Sequence, residues 1–435
     1  MAEKSQQQKS VVVAPTAEKV EPTWPQLLGK ENWKGLLEPL DMSLRLLILR
    51  CGDLIQATYD TFINDNNSKY CGASRYGKKE FFQKVMMEKG EDYSVVSFLY
   101  GTAQVSEAET LMFHSLSREA WDRESNWIGY IAVTSDQKSH QLGRREIYVA
   151  WRGTTRDYEW INVLGAAPVS MESLLSKDDA NGNNTTKGQG GSKSNTSSKD
   201  DDDKDGPKVM KGWLTIYVTE DPKSPFTKLS ARDQLHRKLA ELRKLYKHES
   251  LSLTIVGHSL GGSLSVLSAL DLVENGIRDI PVAAIVFGCP GVGNKAFDDR
   301  CKRYPNLKIL HVKNKIDMIP LYPGRLLGYV DDSWTDLEID TRKSPFLKDS
   351  KNPSDWHNLQ AMVHTVAGWA GEKGMFEVKV KRSLALVNKS CDFLKEEYMV
   401  PGSWWVEKNK GMILGKDGMW VLDEPGEDDM PIPEL

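Results

Sequence analysis

The chain has 435 residues, of which 40% are hydrophobic and 27% charged, enough apolar material for a large buried core and too much for a disordered chain. Lys and Arg total 57 against 61 Asp and Glu, so the formal net charge of -4 supplies no basic field for a polyphosphate and argues against nucleic acid as a partner. No stretch reaches the about 20 apolar residues that span a bilayer, so lipid contact is expected from the aqueous side.

Residues 1–23 mix charge, Gln and Pro without apolar periodicity and read as a flexible leader. The valine run at 11–13 is too short for a signal peptide, which points to a cytoplasmic protein with peripheral membrane contact. Five scattered cysteines, Cys51, Cys71, Cys289, Cys301 and Cys391, form no CxxC pair or other ligand spacing, which fits a reduced compartment with no metal and no cofactor.

Beyond the leader, Leu44, Leu46, Leu47, Leu49, Leu54 and Ile55 predict a buried helix or helix pair. Residues 126–134 and 145–150 are β-branched or aromatic runs separated by the polar SDQKSHQLGR, and predict a hairpin leading into a core strand. Residues 158–175 crowd apolar side chains, among them Trp160, Ile161 and Leu164, and read either as an interfacial lid or as a core helix. Residues 176–207, rich in Asn, Gly, Ser, Lys and Asp, predict a flexible insertion.

From Ser230 the pattern becomes regular. Ser230 can cap a helix carrying Leu235, Leu239, Leu242 and Tyr246. Then come a strand at 251–257, a helix at 263–274, a strand at 282–288, a helix at 295–303 and a strand at 307–312. Continuous apolar strands alternating with helices predict an α/β architecture, a mostly parallel central sheet covered by helices, within one domain at residues 24–400. Residues 380–398 predict a helix presenting Leu384, Val387, Cys391, Leu394 and Tyr398. Residues 401–435 form a C-terminal extension ending in an acidic tail, in which PGSWWVEK and GMWVLDE predict a hairpin and Trp404 and Trp405 are expected to pack on the main domain.

Gly257-His258-Ser259-Leu260-Gly261 is a GxSxG sequence. Its signal comes from context, because the strand LTIV enters it and the small-residue helix GGSLSVLSAL leaves it, as in a nucleophile elbow. A serine hydroxyl is a weak nucleophile, so it needs a histidine base and a carboxylate to orient that histidine, in the chain order Ser, acid, His. Asp317 lies just past a predicted strand end, with Asp331 and Asp332 as competitors. Downstream only His357 and His364 remain; His357 precedes an apolar helical pattern and is the favoured base, whereas His364 falls inside it. The oxyanion needs two aimed backbone amides, expected from Leu260 and from Thr154 in the AWRGTT turn.

Together, strand-RGTT, KVMKGW, GHSLGGSLS, FGCPGVGN, HVKNKIDMIP, WHNLQAMVHTVAG and PGSWWVEKNKG resemble the class 3 lipase family, in its plant class II phospholipase A1 branch, over most of residues 25–423. The resemblance implies the α/β-hydrolase fold and hydrolysis of the sn-1 ester of glycerolipids at a membrane or micelle interface, extending to mono- and diacylglycerols or galactolipids. It places Ser259, Asp317 and His357 at the family's triad positions, and Thr154 and Leu260 at its oxyanion positions. An acyltransferase using the same triad and a non-catalytic lipase-like protein are the competing expectations. The insertion at 176–207 departs from the family pattern.

Overall fold

The computed structural model describes residues 21–64, 68–102, 125–154, 166–175, 206–405, 412–417 and 419–422. Its strands are β1 (Tyr93–Thr102), β2 (Ser125–Thr134), β3 (Arg145–Trp151), β4 (Pro168–Ser170), β5 (Lys208–Met210), β6 (Leu251–His258), β7 (Val282–Phe287), β8 (Leu307–Asn314), β9 (Thr335–Ile339), β10 (Met412–Leu414) and β11 (Trp420–Leu422). One sheet of seven strands runs β1-β2-β3-β6-β7-β8-β9. It is antiparallel from β1 to β3 and parallel from β3 to β9.

Both faces of the inner strands β2, β3, β6 and β7 are buried, which is why these strands read as continuous apolar runs. Ile147, Val149, Leu253, Ile255, Ala284 and Val286 enter one core, whereas Tyr148, Ala150, Val256, Ile285 and Phe287 alternate into the other. The helices that cover these faces are α1 (Met42–Thr61), α2 (Asp136–Leu142), α3 (Lys211–Val218), α4 (Ala231–Leu245), α5 (Leu260–Glu274), α6 (Lys295–Arg303) and α7 (Leu359–Gly368). The first core takes Trp213 of α3, Leu235 and Leu239 of α4, Leu264 and Leu267 of α5 and Phe297 of α6. The second takes Leu44, Ile48 and Leu54 of α1 and Met362, Val363 and Val366 of α7.

Local chemistry sets the helix starts. Ser230 accepts from the Asp233 amide before α4, and Asn294 accepts from the Phe297 amide before α6. The predicted β2–β3 hairpin closes through a helix and not a polar loop: Ser135 accepts from the Lys138 amide, and Gly143 ends α2 at φ 65°.

Residues 380–398 do not form the expected helix. They make 3-10 turns at Leu384–Asn388 and Glu396–Tyr398. Asn388 Oδ1 accepts from the amides of Phe393 and Leu394, both at 2.8 Å, and its side-chain nitrogen donates to the Val400 carbonyl at 3.0 Å. This side chain replaces the helical ladder. Val387, Leu394, Leu384 and Cys391 still gather in one small cluster, so the apolar spacing reports a shared buried side and not a helix. The terminal hairpin pairs β10 with β11, so its first strand is Met412–Leu414 and not the tryptophan pair. Trp404 and Trp405 donate to the carbonyls of Ala385 and Asp60, the latter on α1. β4 pairs with β5 antiparallel and the Met171 amide donates to the Pro207 carbonyl at 3.1 Å, so the described residues just before 176 and just after 205 lie side by side.

Candidate active site

The site collects at the carboxyl ends of the parallel strands. Ser259 follows β6 at φ 59°, ψ -129°, a strained conformation for a residue with a side chain. A Cβ on Gly257 would stand 2.0 Å from the Gly261 carbonyl oxygen, and one on Gly261 would stand 2.3 Å from that of Trp151. Glycine is therefore required on both sides of the serine. The Ser259 amide donates to the Phe287 carbonyl at 3.0 Å, tying the turn to the end of β7. Leu260 opens α5, and first-turn amides of a helix have no intrahelical acceptor, so its N–H is available to an anion.

Asp317 lies past β8, and its Oδ2 is 2.6 Å from His357 Nδ1. Its Oδ1 accepts from the Ile319 amide at 2.9 Å. Because a carboxylate only accepts, the bond places the ring hydrogen on Nδ1 and leaves Nε2 as the basic nitrogen. His357 closes the short helix Pro353–Trp356. Asn314, the last residue of β8, donates to the Trp356 carbonyl at 2.7 Å, while its own carbonyl accepts from the Asp317 amide at 2.9 Å. One asparagine thus holds both loops.

Gly288, at φ 50°, joins these pieces. Its missing Cβ would lie 2.9 Å from His357 Cε1 and 3.0 Å from Asp317 Oδ2, and the residue before it accepts the Ser259 amide. Serine, histidine and aspartate are thereby assembled around the end of β7.

The turn after β3 carries Thr154 and packs on the elbow. A Cβ on Gly153 would stand 2.6 Å from the His258 carbonyl oxygen. The buried Arg152 fixes the turn by donating to the Gly153 and Trp127 carbonyls at 2.9 and 3.2 Å, its guanidinium 3.6 Å over the Phe62 ring centroid. The competing residues lie elsewhere. His364 is buried in α7, where its Nε2 is 2.8 Å from Ser344 Oγ. Asp331 bonds Lys313, and Asp332 bonds Arg325. Trp160, Ile161 and Leu164 fall outside the described residues.

The family model described as Lipase (class 3) matches residues 148–327, which include the β3 turn, the elbow and Asp317. Phospholipase A1-IIdelta of Arabidopsis thaliana is 60% identical over 414 residues, 95% of this chain and 98% of that protein. Phospholipase A1-II 5 of Oryza sativa subsp. indica is 47% identical over 418 residues, 95% of this chain and 85% of that protein. This chain belongs to the class 3 lipase family, in its phospholipase A1-II branch. Among solved structures, a triacylglycerol lipase from Penicillium expansum is similar with a TM-score of 0.41 and 16% identity, over 69% of this chain and 81% of that one.

This lipase is a carboxylic ester hydrolase with the α/β-hydrolase fold. Three residues that shape its site escaped the reading of the sequence. Gly288 carried a signal, a glycine closing an apolar strand in FGCPGVGN, and Asn314 carried a weaker one in HVKNKIDM. Tyr59 carried none, since it reaches the elbow from α1, 199 residues away from His258 in the chain.

Proposed function

We propose that this lipase hydrolyses the sn-1 ester of glycerophospholipids through an acyl-serine intermediate. Ser259 is the nucleophile, His357 the base and then the acid, Asp317 the residue that orients it, and the amides of Leu260 and Thr154 the oxyanion donors. The observation that carries this reading is the 2.6 Å bond from His357 Nδ1 to Asp317, made against the same strand end that accepts the Ser259 amide. Ser259 Oγ adds to the ester carbonyl as His357 Nε2 takes its proton, and the carbonyl oxygen becomes the anion that the two amides receive. Collapse breaks the C–O bond, and His357 returns the proton to the departing 2-acyl lysophospholipid. Water then repeats the sequence on the acyl-serine, releasing the fatty acid and restoring Ser259.

The phospholipid substrate rests on the printed names of the relatives. Contact with a lipid surface is supported by Met318, Leu321, Leu326 and Leu327, which follow Asp317 and are 58%, 71%, 103% and 54% exposed. Among the described residues no helix is long and apolar enough to cross a membrane, which is consistent with contact from one side. A phosphatidylcholine bearing distinguishable acyl chains tests the reading. The wild type is expected to release the sn-1 acid and Ser259→Ala to release neither; preferential release of the sn-2 acid, or turnover by Ser259→Ala, overturns it.

A further inference from the structure

His258 fills the variable position between Gly257 and Ser259 and is the last residue of β6. It is buried, and its ring lies against that of His357, with centroids 4.4 Å apart and planes inclined by 32°. His258 Nε2 is 2.8 Å from the His357 carbonyl oxygen. A carbonyl only accepts, so Nε2 carries the hydrogen. In a neutral ring Nδ1 is then the acceptor, and it lies 2.7 Å from the Tyr59 hydroxyl, which must donate to it. The Tyr59 oxygen is packed against Gly153 of the oxyanion turn, where a Cβ would stand 2.0 Å from it. A directional chain results, Tyr59 O–H to His258 Nδ1 and His258 Nε2–H to the His357 carbonyl, with its Tyr59 end packed on Gly153.

We propose that Tyr59 and His258 are positioning residues, which hold the oxyanion turn, the nucleophile and the base in fixed mutual register. His357 has two anchors, its carbonyl, held by His258, and its Nδ1, held by Asp317. Fixing both ends of the residue fixes the direction of Nε2. Burial, and secondarily the neighbouring His357, hold His258 well below the ordinary histidine value, while burial pushes the Tyr59 phenol up. Both links are therefore neutral at physiological pH and the chain keeps its direction. Neutrality also suits the chemistry, since a charged His258 would face the imidazolium that forms on His357 during turnover.

The inference rests on the roles proposed for Ser259 and His357, but neither Tyr59 nor His258 is asked to touch substrate. The test uses the full chain and a soluble short-chain ester. His258→Phe keeps the ring and removes both bonds; its kcat is expected to fall on the order of 100-fold with KM unchanged, the cost of misaligning a base. Tyr59→Phe should lower kcat in the same direction by less, and the double variant should be no worse than His258→Phe alone. His258→Gln, which restores a donor, should recover part of the rate. A folded His258→Phe with wild-type kcat, fully multiplicative losses in the double variant, or no gain from Gln over Phe would each overturn the proposal. Should His258→Phe fail to fold, Tyr59→Phe, which removes one oxygen, decides by the same kcat criterion. Turnover by Ser259→Ala would instead overturn the assignment beneath it, a distinguishable result.

Discussion

At the scale of the residue, Gly288 shows how little room the site leaves. A side chain there would strain a φ of 50° and press on both His357 and Asp317. Gly288→Ala is expected to cost about 1–2 kcal/mol in stability from the backbone but to cut kcat at least about tenfold, because the ring of His357, the proposed base, is displaced. Urea unfolding with steady-state kinetics on a soluble ester measures both, and a stable variant with unaltered kcat contradicts the packing described. His364 makes a different kind of prediction. Burial, and then Arg382, lower it from 6.5 to about 4 in the folded state. Between those values the unfolded chain takes up a proton that the native state refuses, so stability should fall as the pH drops from 6.5 to 4. The contribution is roughly 3 kcal/mol at its limit. His364→Gln should flatten the fall in urea midpoint between pH 7 and 5, and an unchanged slope would show that other groups carry it. The serine of the elbow was legible because two obligatory glycines flank it between an apolar strand and a small-residue helix. Tyr59 was not, because its partner is set by tertiary packing alone, and Asn314 was only weakly so, through its place at the end of a strand.

Among the elements, the segments from Ser230 to Asn314 were read closely. Their caps, Ser230 and Asn294, and their largely buried strands leave local and tertiary preferences in agreement. Residues 380–398 were misread for the opposite reason: apolar residues at helical spacing are buried there by turns that the Asn388 side chain organises. The same kind of competition hid α2, whose Ser135 cap and Gly143 end lay inside a polar stretch taken for a turn. Leu321, Leu326 and Leu327 stand exposed in the segment that follows Asp317 in the chain, and water is an unfavourable neighbour for them. Changing all three to Ser should reduce hydrolysis of phospholipid vesicles at least about tenfold, the effect of roughly 1.4 kcal/mol of lost partitioning, and leave a soluble short-chain ester unaffected. Equal losses on both substrates would assign the loop to the fold and not to the interface.

For the molecule as a whole, the sheet explains why residues distant in sequence can act together. Five parallel strands, β3, β6, β7, β8 and β9, end on one edge, and four of their exits supply the Arg152–Thr154 turn, Ser259, Gly288 and Asp317. The fifth group, His357, is brought there by the Asn314 bond to the helix that carries it. On the proposed mechanism this convergence activates a single serine. Treating the intact, folded protein with a fluorophosphonate and locating the adduct by peptide mass spectrometry tests that activation. Wild type should carry one adduct, on Ser259, while Ser259→Ala and His357→Ala, shown to be folded, should carry none at the same exposure. An unlabelled wild type, or an adduct on any residue other than Ser259, would contradict the account.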